Sequence, residues 1–315
     1  MKTTNRTNQV HFIQAWSHEM GGSHRDMGKF EFSVTESLKD PTAIILRRRH
    51  KDDIEEDLQD TADRDAGTAV HESIEEYAKA DGYICEKEVK RVVEIGNGRS
   101  FVLVGKFDCY NPNTKHLVDI KNTKLATYNK QVSGEDDEWI NQQSLYVDMM
   151  SYQKPNWYGG LNDVTIEARI TDLSVVKEIM AGNSPDKWRR IDWPLEKIKA
   201  NIPTALDKAI SNICAVIDLE DTPDEELPIC SDKYRFATTN YKIYKYKKGI
   251  KEPSAKAERG HASYTSIEEA QEGFKKAGFT EDEYTIKKVG GESLKCKYYC
   301  ECKAFCPHYK AMFES

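Results

Sequence analysis

Three apolar or alternating runs follow one another at residues 89–95, 101–109 and 116–121, and turn formers separate them: Gly96-Asn97-Gly98 and Asn111-Pro112-Asn113. Connections of that length and composition close hairpins, so the spacing predicts three consecutive antiparallel strands. A helical period at 67–79 precedes them and another at 137–152 follows. A further strand is expected at 164–171, after the Gly159-Gly160 break, and a long helix at 195–219. Ser33-Val34-Thr35-Glu36 reads as a helix start, and the acid-rich stretch 54–66 as a solvated loop or helix face. That order of elements predicts an α/β core with a central mixed β-sheet flanked by helices.

Chemistry concentrates on the second and third strands. Asp119 and Lys121 are two apart and therefore share one face of a strand, while Ile120 points to the other. Gly105-Lys106-Phe107-Asp108 ends the strand before. Two facing carboxylates attract an oxygen-preferring divalent cation, and a lysine beside that cation can orient or deprotonate a water. Taken singly, Asp108 is an ordinary strand-end acid and Asp-x-Lys a common solvated pair. They occur here in a series: Gly67-x-x-x-His71-x-x-x-Glu75 on a helix, Gly105-x-x-Asp108, Asp119-x-Lys121, then Gln142-x-x-x-Tyr146 on the next helix. Glu75, one turn beyond His71, is either an orienting partner for the imidazole or a solvated acid. Glu86 and Glu88 precede the first strand, and either is placed to approach a metal.

This ordered set resembles the PD-(D/E)XK nuclease superfamily, in particular its RecB-like branch of phage and CRISPR-associated exonucleases, over roughly residues 33–170. The resemblance implies a restriction-endonuclease-like core. It also implies Mg²⁺ or Mn²⁺ held by His71, Asp108, Asp119 and the Ile120 carbonyl. Lys121 would assist the attacking water, and Gln142 and Tyr146 would contact substrate or brace the lysine. The activity implied is a metal-dependent DNA exonuclease of phage-type recombination or repair, with DNA as partner and a single-strand annealing protein or recombinase beside it. The rival readings are a non-catalytic nucleic-acid- or protein-binding module on a nuclease scaffold, and a structure-specific endonuclease.

Pro223, Pro228 and the acids between them read as a linker, which divides the chain into a core at 1–222 and an α+β appendage at 223–315. Within the appendage the pattern predicts a strand at 241–246, a helix at 266–277 and a strand at 284–289. It closes in Cys296, Cys300, Cys302 and Cys306, four thiols in eleven residues. Such density points to a structural metal, tetrahedral zinc or an iron–sulfur cluster, with unligated reduced thiols as the alternative. RecB-like relatives often clasp the chain ends with an iron–sulfur cluster that takes one ligand from upstream of the core. Here no cysteine precedes Cys85 and all four candidates lie together. Cys85, Cys109, Cys214 and Cys230 read as core or surface residues.

Charge and compartment complete the reading. The net charge of −7 opposes a nucleic-acid partner at first sight, yet local clusters set the field at a groove. Arg47, Arg48 and Arg49 form one such cluster, and the Lys- and Tyr-rich stretch 241–251, with Lys245 and Lys247, another. Each is either a phosphate grip or a local device: helix-end cations in the first case, a protected edge strand in the second. A polar N-terminus and the lack of any apolar run of membrane-spanning length predict no signal peptide, no membrane association and a cytoplasmic location. If the gene is a phage's, that cytoplasm is the bacterial host's.

Overall fold

The structure, a computed structural model, describes residues 2–6, 13, 15–17, 28–153, 161–237, 240–254, 257–258, 264, 266–289 and 293–314, without the side chains of Lys2, Thr3 and Gln59. The Gly159-Gly160 break lies outside them. The chain forms two compact units, 1–221 and 222–315.

The first unit runs β1 (Lys2–Thr4), β2 (Glu31–Ser33), α1 (Val34–Ser37), α2 (Pro41–Arg49), β3 (Glu55–Asp57), α3 (Leu58–Ala80), β4 (Ile84–Gly96), β5 (Arg99–Asn111), β6 (His116–Thr123), α4 (Leu125–Ser133), α5 (Glu138–Gln153), β7 (Asp163–Ile170), α6 (Val175–Met180), β8 (Trp188–Pro194) and α7 (Leu195–Asp218). The predicted three-stranded meander is present: β4 pairs antiparallel with β5 and β5 antiparallel with β6. β7 then adds parallel to β6, β8 antiparallel to β7, and β2 parallel to β5, which gives a six-stranded mixed sheet. Helices cover both faces. Ile74 and Ala78 of α3 pack with Cys109, Val118 and Ile120, and α5 meets the side of β6 that carries Lys121.

Local chemistry explains the boundaries. Ser33 and Glu36 form a reciprocal capping box at α1, and Asp40 caps α2 through the Thr42 N–H ahead of Pro41. The acidic stretch 54–66 is not a solvated loop. It supplies β3 and the first turns of α3, and Asp57 and Asp65 are buried. Their oxygens are satisfied locally: Asp57 accepts from the Thr4 hydroxyl and the Arg6 N–H, and Asp65 from Thr61 and Ser17. The first predicted strand starts earlier than its apolar run, so Glu86 and Glu88 lie within β4 rather than before it. The short elements β8, α4 and α6 appear only in the structure.

The second unit holds a short 3₁₀ turn (Asp224–Glu226), α8 (Asp232–Arg235), β9 (Asn240–Lys245), α9 (Ile267–Lys276), β10 (Tyr284–Val289), α10 (Leu294–Tyr298) and α11 (Pro307–Phe313). β9 and β10 pair antiparallel as a two-stranded ribbon, Ile243 opposite Ile286, and α9 packs on β9 through its buried Ala270 and Phe274. Among the described residues no helix is long and apolar enough to cross a membrane.

Candidate active centre at a fork in the sheet

The β5–β6 ladder is short. It pairs Asn111 with His116, Tyr110 with Leu117 and Cys109 with Val118, then stops. The next rung would set Asp108 opposite Asp119. There the strands part, and the Ile120 N–H, deprived of a carbonyl, donates to Asp108 Oδ2 at 2.7 Å. The fork therefore exists where the two sequence-selected acids stand.

On its other side β5 faces β4, where Cys85 pairs with Cys109 and Lys87 with Phe107. The intervening rung, Glu86 opposite Asp108, is missing from the ladder, and Glu86 sits at φ 56°, a region costly for a residue with a Cβ. Glu86, Asp108 and Asp119 thus occupy one line across three adjacent strands, each at a broken rung. Like charges set opposite one another destabilise a sheet, so such a row calls for a cation.

Two helices complete the constellation. His71 on α3 brings Nε2 to 3.3 Å from Asp108 Oδ2 and 3.9 Å from Glu75 Oε1. Glu75, 7% exposed, also pairs with Lys79 at 3.0 Å. Across the sheet, Lys121 Nζ lies 2.8 Å from Asp119 Oδ2 and donates to Gln142 Oε1 of α5 at 2.9 Å. Gln142 Nε2 in turn reaches the Tyr146 hydroxyl and Thr35 Oγ1, each at 3.4 Å. Tyr146 packs so closely on β5 that a Cβ at Gly105 would lie 2.6 Å from its ring. The glycine of the Gly-x-x-Asp motif is therefore a matter of fit.

Electrostatics follow from burial and pairing. Asp119 is 2% exposed, and burial pushes its carboxyl up to about 6 against the pull of Lys121. Burial also works on Asp108, but His71, Lys121 and the Ile120 N–H hold it below the ordinary carboxylate range. Asp108 in turn raises His71. Burial would lower Lys121, yet Asp119 and Asp108 outweigh it and keep the ammonium charged. The Tyr146 phenol is raised by burial beside the same acids.

A divalent cation fits the part of this set formed by His71, Glu75 and Glu86, a group among the described residues that does not include Asp108 or Asp119. His71 Nε2 and Asp119 Oδ2 are buried atoms with close charged neighbours but no aligned hydrogen bond, and ligand atoms of His71, Glu75 and Glu86 all lie within 4.8 Å of one another. Carboxylates with one imidazole suit Mg²⁺ or Mn²⁺. Two residues here were not singled out by spacing. Glu86, rather than Glu88, turns into the cluster; Glu88 stays near Lys90 at 3.5 Å on the surface. Gln143 is fully buried on α5 with both amide atoms otherwise unpartnered, and it helps hold Asp119 ionised. Its signal in the sequence is only its place beside Gln142.

The remaining sequence candidates fall elsewhere. Arg48 is internal: it chelates Glu36 at 2.8 and 2.9 Å, donates to the Glu31 carbonyl and lies 4.0 Å over the Phe32 ring. Arg49 donates to the Glu220 carbonyl, two residues beyond the end of α7. Both guanidinium groups are engaged locally, and Arg47 lies with them in the last turn of α2. In the second unit Lys245 lies 5.3 Å over Tyr284 and Lys247 pairs with Glu252 at 2.9 Å.

The thiols Cys296, Cys300, Cys302 and Cys306 share the second unit, but no three of them bring their sulfurs within 4.8 Å of one another among the described residues. A hydrogen bond from Cys302 pulls Cys300 down to about 7, and burial raises Cys296. Cys230 joins this neighbourhood: with Cys300 and Cys302 it adds to the upward shift that burial imposes on Tyr234. Cys109 and Cys85 face each other across β5 and β4 with sulfurs 2.9 Å apart.

No family model matches the chain, and no curated protein does. Among solved structures, SSO0001 aligns at 12% identity and TM-score 0.45, over 67% of this chain and 85% of its own. A phage-related exonuclease from Haemophilus somnus 129PT aligns at 15% identity and TM-score 0.26, over 56% of this chain and 95% of its own.

Proposed function

We propose that the fork is the active centre of a metal-dependent deoxyribonuclease with a restriction-endonuclease-like core, acting as an exonuclease in phage-type DNA recombination or repair. The observation that carries this reading is the row of carboxylates on three adjacent strands, completed by His71 on one face and by Lys121, braced by Gln142, on the other.

His71, Asp108, Asp119 and the Ile120 carbonyl would hold Mg²⁺ or Mn²⁺, with Glu86 and Glu75 beside them. The ion would neutralise charge on the phosphoryl oxygens and acidify the attacking water. The chain's own residues do the positioning. Asp108 keeps the His71 ring turned to the fork, and Gln142 keeps the Lys121 ammonium aimed at Asp119 from the far face. Lys121 is charged while Asp119 is free. Were Asp119 engaged by the ion, Lys121 would lose part of the attraction that keeps it protonated, and its amine could then take a proton from water. Cys296, Cys300, Cys302 and Cys306 would hold zinc or an iron–sulfur cluster in the second unit, and metal analysis of the purified protein tests that part.

The decisive experiment incubates purified protein with end-labelled linear and circular DNA in Mn²⁺, Mg²⁺ or EDTA, beside Lys121→Ala. Metal-dependent loss of linear DNA with circles spared, absent in the variant, is the expected result. Cut circles would make it an endonuclease. DNA binding without cleavage in any metal would replace the enzyme by the binding module.

A further inference from the structure

The ribbon of the second unit has two unlike faces. Ile243, Lys245, Tyr284 and Ile286 share one parity, and this face meets the helical side: Ile243 is buried, and Tyr284 stacks on Phe279, which packs against Phe274 of α9. The opposite parity carries Lys242, Tyr244, Thr285 and Lys287. Lys242 and Lys287 are direct cross-strand partners. Among the described residues neither makes an ion pair, and Lys287 is exposed with its ammonium 6.0 Å over the Tyr244 ring. Glu283, the acid at the end of the ribbon next to Thr285, makes no ion pair with either.

A directly opposed lysine pair costs stability unless an anion lies between the two. Protection of an exposed strand edge does not account for Lys242, because the other edge of β9 is already engaged: Tyr241 exchanges backbone bonds with Tyr264, and the Glu258 N–H donates to the Ile243 carbonyl. Two unneutralised ammonium groups beside an aromatic ring, on a face free of acids between them, match a phosphate flanked by an unstacked base. We infer that the Lys242–Lys287–Tyr244 face of this ribbon binds single-stranded nucleic acid, with phosphate across the lysine pair and a base against Tyr244. The site is separate from Lys245 and Lys247, and it does not depend on the fork being catalytic.

The test uses the full chain in EDTA, so that cleavage plays no part and failure of the nuclease reading leaves this one standing. Binding of a short fluorescent oligo(dT) is followed by anisotropy over a range of salt. Lys242→Gln with Lys287→Gln is expected to lower the slope of log affinity against log salt by about 1.4, two contacts at about 0.7 each, and to weaken binding roughly tenfold. Tyr244→Ala is expected to weaken oligo(dT) roughly fivefold or more while leaving the slope and the affinity for duplex unchanged. Lys288→Gln, on the opposite face of the same strand, should change neither, and thermal unfolding of all variants checks the fold. An unchanged slope in the double variant, or an equal change in Lys288→Gln, overturns the site. Equal losses on duplex, or competition by polyglutamate with Tyr244→Ala silent, would make the face a dock for duplex or for an acidic protein instead.

Discussion

The fork and the ribbon both set like charges on opposed strand positions, and they differ in what surrounds those charges. At the fork Asp119 is 2% exposed and the rungs around the acids are broken. On the ribbon Lys242 and Lys287 stand on an intact rung next to water. Low dielectric multiplies the repulsion at the fork and water divides it on the ribbon. The fork had to give up backbone pairing to hold its acids, whereas the ribbon keeps its ladder. Substitutions should therefore act strongly and in several readouts at the fork, and weakly at the ribbon.

The largest expected effect is on cleavage. Lys121→Ala removes the group poised to take a proton and should cost about 10²–10⁴-fold in rate. Asp119→Ala removes a proposed metal ligand as well and should leave no measurable cleavage. Circular dichroism of both variants should match the parent. Full activity in either would dissolve the distinction between the two regions.

Gly105→Ala comes next. The added methyl would lie 2.6 Å from the Tyr146 ring and 3.0 Å from Val34. Moving the ring strains the brace on Gln142, so a loss of about 1–3 kcal/mol is expected in denaturant unfolding, with cleavage reduced in parallel. Arg48→Ala tests the other basic cluster. It breaks a half-buried pair with Glu36 and uncovers Phe32. A stability loss of about 1–3 kcal/mol is expected, with the salt slope of DNA binding unchanged; a changed slope would return the arginines to substrate binding.

The meander was legible because alternation and turn residues are local properties, and the capping box at Ser33 and the helix with His71 were legible for the same reason. The fork was not. That β5 and β6 part after Cys109 and Val118 depends on which backbone groups find partners, and no period in the sequence encodes it. The left-handed backbone of Glu86 escapes sequence reading too, since glutamate has no preference for that region. The local partner of Arg48 was not legible either, because charge density says nothing about whether a glutamate twelve residues earlier pairs with the guanidinium.

Acidity offers a finer probe of the fork. Burial holds the folded-state pKa of Asp119 at about 6, above that of the unfolded chain. A raised acid retains its proton longer in the folded state, so its contribution favours folding at low pH and is lost as pH climbs from the ordinary carboxylate range through about 6. Metal-free protein should show that decline, and Asp119→Asn should flatten it. Stabilisation by Mn²⁺ should run the opposite way, weak at low pH, growing through about 6 as the carboxylate ionises and further above the ordinary imidazole range as His71 loses its proton. Thermal unfolding across pH, with Mn²⁺ and with EDTA, reads both trends, and parallel curves would deny Asp119 its place at the metal.

The smallest expected effect is the most diagnostic. Glu86 combines a φ of 56° with a carboxylate turned toward His71 and Glu75 and an ion pair to Lys106. If its only task were that exposed ion pair, worth little in water, the strained backbone would have no return. Replacing it by glycine relieves the backbone and removes the carboxylate at once. Metal-free Glu86→Gly should be about as stable as the parent or up to about 1 kcal/mol more so, while the gain from added Mn²⁺ shrinks. Glu88→Gly, two residues on and in regular strand, should lose stability and keep its full response to the metal. Opposite signs in that pair of neighbours would mark Glu86 as a residue whose conformation is maintained for the cation; equal losses would return it to the surface with Glu88.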